Sequence, residues 1–294
     1  MRIPRSTQSG MTALLQNHSA RINGEVRKLE IQAITGLKVN KPSDGPTETA
    51  AALRLQGLVG DQEVFQRNAV QATSLLAVAD DALGQVSNIF KRAREIAIQG
   101  GSEQFNAGDR ESLATEVSVL REQLTALSNT RLGDRYIFSG TDYNTEAFDS
   151  SGTYGGSTDT PETRISQNQW ADVGFDGSDV FQGDVDAFAL LEDLEDALNN
   201  NDPETVRGQI GDLESGAQQA IDWREVAGHT YKTVDDAAAT AESLGAVLLT
   251  ELGELVNADP AETYTRLAEL RQNYQAAMQV GATTASGTLF ALMR

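Results

Sequence analysis

Residues 51–97 keep a 3.5-residue apolar repeat with no proline inside it. Alternate steps of four and three fall on Ala51, Leu55, Leu58, Gln62, Phe65, Ala69, Ala72, Leu76, Ala79, Leu83, Val86, Phe90, Ala93 and Ala97, and thirteen of these fourteen are apolar. A heptad period kept this long specifies one helix with an unbroken apolar stripe, which is hidden from water only against partner helices. At about 1.5 Å per residue, a helix from 46 to 99 is roughly 80 Å long, more than the width of a compact domain. The sequence therefore predicts an elongated molecule. A heptad-patterned globular bundle fits the same period, but the seam's length and its many alanines favour close, rod-like packing.

The punctuation agrees. Pro42-Ser43-Asp44-Gly45-Pro46-Thr47-Glu48 places a polar cap, a first-turn proline and an early carboxylate at the helix start. Gly100-Gly101 supplies an end at which glycine relieves a left-handed cap. A second helix is expected from Asp109, with seam positions Leu113, Val117, Leu120, Leu124 and Leu127, and a short third one carries Ala187, Leu191, Leu194 and Leu198. After the loop Asn199–Pro203, the four–three step runs from Val206 to Leu255, broken only by Arg224 and Gly245. Asp259-Pro260-Ala261-Glu262 opens a last helix.

The two ends carry looser stripes. Met11, Leu15, Ile22, Val26 and Leu29 are interrupted by Gly10, Gly24 and Gly36, and Tyr264, Leu267, Tyr274, Met278, Leu289 and Leu292 by Gly281 and Gly287. Glycine costs about 0.5–1 kcal/mol relative to alanine inside a helix, so neither end is a strong helix former alone. Two readings fit: the ends fray harmlessly, or they order when several copies pack together.

Residues 139–185 have a different texture. Ser/Gly/Asp turn signals separate the islands Arg135–Phe138, Thr163–Ile165, Ala171–Phe175 and Asp179–Phe181, which read as short strands and hairpins. Charge is uneven as well. Residues 1–60 hold eight Lys/Arg against four Asp/Glu, whereas 141–200 hold one basic residue, Arg164, against fourteen acidic ones. The net −20 thus sits largely in the insertion and its flank.

Chemistry is scarce. There is no cysteine, so a thiol nucleophile and Cys-ligated metal sites are excluded, and two histidines, His18 and His229, leave little for a triad or a His-based metal site. His18 reads as a packing or interface residue and His229 as exposed or partly packed. No phosphate-binding glycine loop, zinc-protease helix or nucleophile elbow occurs. Asp172, Asp176, Asp179, Asp184 and Asp186 miss the spacing of a calcium loop and read as a solvated acidic face. Glu192, Asp193, Glu195 and Asp196 read as a wet helix face. Trp170 and Trp223 read as core or interface anchors. No run of eighteen apolar residues spans a bilayer, the start lacks a secretory h-region, and the acidic balance disfavours nucleic acid. No cofactor, metal or catalytic residue is expected.

Residues 35–46, Thr35-Gly36-Leu37-Lys38-Val39-Asn40-Lys41-Pro42-Ser43-Asp44-Gly45-Pro46, resemble the flagellin-family signature. That signature is a Thr-Gly pair leading into Asn-x-Pro-Ser-Asp-Asp-Pro, and Gly45 stands here at its second Asp. Arg135–Thr141 with Phe148, then Gly177-x-Asp179-Val180-Phe181 and Arg224–Gly228, resemble the family's hook–filament junction members more than filament flagellin. The resemblance implies a structural subunit of the bacterial flagellum, exported through the flagellar type III apparatus with information near the N-terminus. It implies terminal helices forming an inner coiled-coil tube, a helical middle layer and an outer β-rich insertion. The implied partners are further copies of the chain, the other hook-associated junction protein, flagellin and an export chaperone, without nucleic acid or membrane insertion. Filament flagellin remains the nearest alternative, and a helical adhesin or secreted effector the rival of another class.

The expected fold is mainly α: an antiparallel helical bundle or coiled coil with a small β-rich insertion. Its expected divisions are terminal assembly helices at 1–40 plus 262–294, a helical rod at 41–135 plus 186–261, and an acidic insertion at 136–185. Leu15, Ile22, Leu29, Leu267, Tyr274 and Leu289 are the expected inter-subunit residues. Asn40, Pro42, Ser43, Asp44 and Pro46 are the expected bend between layers.

Overall fold

The heptad seam folds as its period demands. In a computed structural model, which describes residues 6–292 and the side chains of 10, 13, 14 and 16–280, helix α2 runs unbroken over Pro46–Gly100. All ten seam positions from Phe65 to Ala97 are buried. Toward the start of α2 the buried face shifts by one residue, to Ala52 and Val59, and Ala51 is exposed. Ala82, Ile89 and Ile96 are buried as well. Three apolar positions per heptad make a face wide enough for several neighbours, as in a bundle, rather than a two-helix seam.

The chain divides into two compact units, residues 60–245 and residues 1–59 with 246–294. The divisions fall inside long helices rather than at the expected turns near 40 and 262.

In the first unit, α2 is accompanied by α3 (Ala107–Ser128), α4 (Gly177–Gln182), α5 (Ala187–Asn199), α6 (Pro203–Gly208) and α7 (Ile210–Val256). Asn106 caps α3 by accepting from the Asp109 N–H at 3.0 Å, while the Asp109 carboxylate accepts from the Asn106 N–H at 3.1 Å. Val117, Leu120 and Leu124 of α3 and all four seam residues of α5 are buried, and the two helices pack on each other.

Helices α2 and α7 run antiparallel. Gly216 lies against the Phe90 ring, Gly84 against the Arg224 guanidinium and Gly245 against Gln62. The breaks in the two seams thus answer one another. Arg224 reaches across to Asp80, donating from Nε at 2.9 Å and Nη2 at 3.2 Å, over a glycine that leaves it room. That hydrogen bond holds the guanidinium pKa further above its ordinary value. Gln62, the polar break in α2, faces Gly245, the small break in α7.

Several expectations need correction. Neither Gly100 nor Gly101 adopts a left-handed conformation. A Cβ at Gly100 would lie 2.4 Å from Leu198, and one at Gly101 would lie 2.6 Å from Arg207, so close approach of a neighbouring element excludes a side chain there. Arg110, buried beside this turn, donates to the Gly100 carbonyl at 2.7 Å, the Ser102 carbonyl at 2.8 Å and the Asn201 side chain. It thereby ties the α2–α3 turn to the α5–α6 loop.

The insertion holds less strand than its texture suggests. Two hairpins form, β1 (Arg131–Leu132) with β2 (Arg135–Tyr136) and β3 (Glu162–Arg164) with β4 (Trp170–Asp172). Asp179–Phe181 is helical, because the Asp176 carboxylate accepts from the Ser178 N–H at 2.8 Å and starts α4. Asp176 is therefore a buried cap and not part of a solvated face. What holds the insertion is aromatic. Phe138, Phe148, Phe175, Phe181 and Phe188 form a chain of edge-on and tilted rings at 4.8–6.2 Å. Tyr154 joins it. Burial pushes the Tyr154 hydroxyl up to about 12, and it donates to the Ser157 carbonyl at 2.8 Å. Glu192, Asp193 and Asp196 of α5 are exposed as expected and Glu195 is half-buried; Glu192 and Glu195 reach Arg121 of α3 at 3.5 and 2.7 Å.

The second unit holds α1 (Ser6–Thr35), the start of α2, the end of α7 and α8 (Pro260–Leu292), with α1 and α8 packed together. Arg271 of α8 donates to Glu30 of α1 at 2.6 Å. Helix α1 runs unbroken through Gly10 and Gly24.

Two glycines of α2 are expected to respond oppositely to alanine. Gly57 is exposed in the helix interior with nothing near its Cβ position, so Gly57→Ala gains about 0.5–1 kcal/mol. Gly100→Ala drives a methyl into Leu198 and loses about 1–3 kcal/mol. Chemical denaturation of the two variants, read for the sign of each change, checks both.

Candidate assembly interface

The family-like segment at 35–46 folds as a pinned chain reversal. Helix α1 ends at Thr35, and Gly36 takes φ +70°, the left-handed region that a side chain resists. From there the chain runs beside the reversal between α7 and α8. The Lys38 N–H donates to the Val256 carbonyl at 2.7 Å, and the Ala258 N–H donates to the Gly36 carbonyl at 2.8 Å. Two turns far apart in sequence are thereby zipped by a short antiparallel bridge, Leu37 opposite Asn257.

Each expected bend residue has a local task here. Asn40 donates its side-chain amide to the Leu37 carbonyl at 2.8 Å. Pro42, Ser43 and Asp44 form one 3-10 turn. The Asp44 carboxylate accepts from the Lys41 N–H at 3.0 Å and the Asn40 N–H at 3.3 Å, and lies 3.8 Å from the Lys28 ammonium of α1. Pro46 is the first residue of α2 and gives up no hydrogen bond there. Gly45 has extended backbone, and the Glu48 carboxylate folds into the space a Cβ would need, at 2.6 Å. A second aspartate there would face that carboxylate.

The expected inter-subunit residues separate into groups. Ile22 and Leu267 are buried within the terminal unit, while Leu29 and Tyr274 are half-buried. The side chains of Leu15 and Leu289 lie outside the described residues. The large apolar groups that this unit exposes are others: Leu14, Ile34 and Leu53, with Val247, Leu249 and Tyr264, are 55–84% exposed. Of these the apolar stripes include only Tyr264; Leu14, Ile34, Leu53, Val247 and Leu249 lie off the periods read along α1, α2 and α7. Ile31 beside Ile34, off the Ile22–Leu29 stripe, is the signal that was there to read.

Other singled-out residues fall outside this surface. His18 and His229 are both exposed. Trp223 is half-buried, edge-on to Phe175 at 6.3 Å, and Trp170 is 59% exposed on β4, so Trp170 is no core anchor. Among the described residues no three acidic or histidine side chains converge on one point, and no helix is long and apolar enough to cross a membrane.

Comparison with known proteins points one way. Residues 7–143 match the family model for the bacterial flagellin N-terminal helical region. Flagellar hook-associated protein 3 of Salmonella typhimurium is 31% identical over 172 residues, 56% of this chain and 54% of that protein. Its namesake in Escherichia coli is 29% identical over 152 residues, 51% and 48% of the two chains. The chain thus spans about half the length of the relatives it matches. Among solved structures, a putative flagellar hook-associated protein from Vibrio parahaemolyticus superposes with TM-score 0.66 at 18% identity, covering 73% of this chain and all of that one. Hook-associated protein 3 from Legionella pneumophila gives 0.61 at 16% identity, covering 68% and 98%. These likenesses show the same mainly helical fold.

The pinned reversal sets an expectation for the monomer. Gly36→Ala forces a methyl into the left-handed region at about 1–2 kcal/mol. Hydrogen exchange at the Lys38 and Ala258 amides is expected to accelerate correspondingly, while amides in the α2–α7 seam keep their protection.

Proposed function

We propose that the chain is a flagellin-family protein of the hook-associated protein 3 type and, as such, a structural subunit of the bacterial flagellum at the hook–filament junction. It is not an enzyme in this reading. The supporting observation is the terminal unit itself, which contains the start of the stretch matching the flagellin N-terminal helical region and displays Ile34, Leu53 and Tyr264 to water although its own helices are already packed. Apolar area of this kind is worth roughly 25 cal/mol per Å² once covered, so association with further copies is the natural outlet. The terminal helices form the inner layer, the seam-packed helices the middle one, and the aromatic insertion with its acidic surface faces outward. The axial partners are the other hook-associated junction protein on one side and flagellin on the other. The chain reaches this place through the flagellar type III apparatus, delivered by an export chaperone.

Filament flagellin is the alternative to be separated. A deletion strain examined by electron microscopy is expected to keep its hooks while shedding filament protein into the medium. Bare hooks with no shed filament protein would instead assign the chain to the filament. Immunogold label confined to the hook boundary is the matching result in intact flagella.

The assembly mechanism is checked separately. Ile34→Ser and Tyr264→Ser are each expected to weaken self-association about tenfold by sedimentation velocity, with unchanged thermal midpoints because both side chains are already in water.

A further inference from the structure

The insertion contains a preformed groove that the assembly role leaves unused. The turn Ser166-Gln167-Asn168-Gln169, between β3 and β4, stands over a cavity of about 480 Å³ whose other walls come from α2 and α7. Its floor is apolar, with Phe65, Ile165 and Ala241 all buried. Its rim is polar: the three consecutive amide side chains of the turn, then Thr233, Asp236 and Thr240.

The backbone of this turn is locked without using those amides. The Ile165 N–H donates to the Gln169 carbonyl at 3.0 Å, and the Ser166 N–H to the same carbonyl at 3.3 Å. Arg164 donates from Nε to the Ser166 carbonyl at 3.1 Å and from Nη2 to the Gln167 carbonyl, while its guanidinium covers the Phe65 ring at 5.4 Å. Asn68 fastens the hairpin to α2 by donating to the Arg164 carbonyl at 2.8 Å. The side chains of Gln167, Asn168 and Gln169 take no part in this scaffold, so their donors and acceptors stand on a fixed backbone and are left available.

We propose that this groove binds a neutral saccharide. A sugar ring presents an apolar C–H face and hydroxyls that donate and accept at once. Carboxamides are the side chains that offer both functions, and the floor supplies the apolar half. Trp170 is the cross-strand partner of Arg164, so it stands on the same face of the hairpin, with its indole 59% exposed and able to cover a ring. The charges argue against other ligands. Asp236 is the only ionisable group on the lining, and the nearby cation, Arg164, is spent on two carbonyls and a ring, so a phosphate or polyanion finds no partner. A peptide adding as a strand finds edges of three residues only.

The test uses the full chain and two neutral probes, maltotetraose and the N-acetylglucosamine tetramer, in saturation-transfer NMR. Saturable binding of at least one probe is expected, with Kd about 1 mM or tighter. The double variant Gln167→Ala with Asn168→Ala, and separately Trp170→Ala, are each expected to weaken it at least about fivefold without moving the thermal midpoint. No saturable response below about 10 mM, or binding indifferent to both variants, would overturn the proposal, as would stronger binding of a sialylated tetrasaccharide. Any of these leaves the junction assignment untouched.

Discussion

Burial of the α2 seam against α7 and its neighbours is the constraint from which the rest follows. Phe65, Leu76, Leu83, Phe90 and Ala97 are almost wholly excluded from water along one helix, and a stripe of that length is satisfied only by partner helices held in fixed register. The register is enforced by exceptions to the pattern as much as by the pattern itself. Arg224 fits because Gly84 lies beneath it and Asp80 beside it, Phe90 fits because Gly216 has no side chain, and Leu198 fits because Gly100 has none. A shift of one turn would set large groups against one another at each of these levels.

On that frame two quite different surfaces are mounted. The insertion solves its packing with rings, because hairpins of two or three residues carry too few ladder hydrogen bonds to stand alone. The aromatic chain from Phe138 to Phe188 closes it onto α5, while the β3–β4 turn is locked separately by its own backbone bonds and Arg164. The terminal unit takes the opposite course. Its helices meet through modest stripes, its two reversals are joined by backbone bonds at Lys38 and Ala258, and it leaves Ile34 and Tyr264 in water. The proposed assembly role rests on these uncovered groups.

The long helices and most of their ends were legible in the chain because period and punctuation are local: heptad steps, Pro46 and Asp259 need no knowledge of partners. The bend at 36–46 was legible as a motif, and Asn40 and Asp44 make side-chain hydrogen bonds within it. The exposed apolar groups of the terminal unit were not legible, since a stripe names the residues that can be buried and not the partner that buries them. The strand reading of Asp179–Phe181 failed for a related reason: a short apolar island has no period of its own, and the Asp176 cap decided its state.

By itself the sequence determined a mainly helical chain with a long α2 and an acidic insertion of different texture, because composition and periodicity act through nearest neighbours along the chain. Tertiary structure decided which glycines mark close approach rather than a turn, which carboxylates are caps or ion-pair partners rather than solvated groups, and which apolar side chains stay in water. Those outcomes depend on atoms distant in sequence being brought within van der Waals reach, and no local pattern encodes that distance.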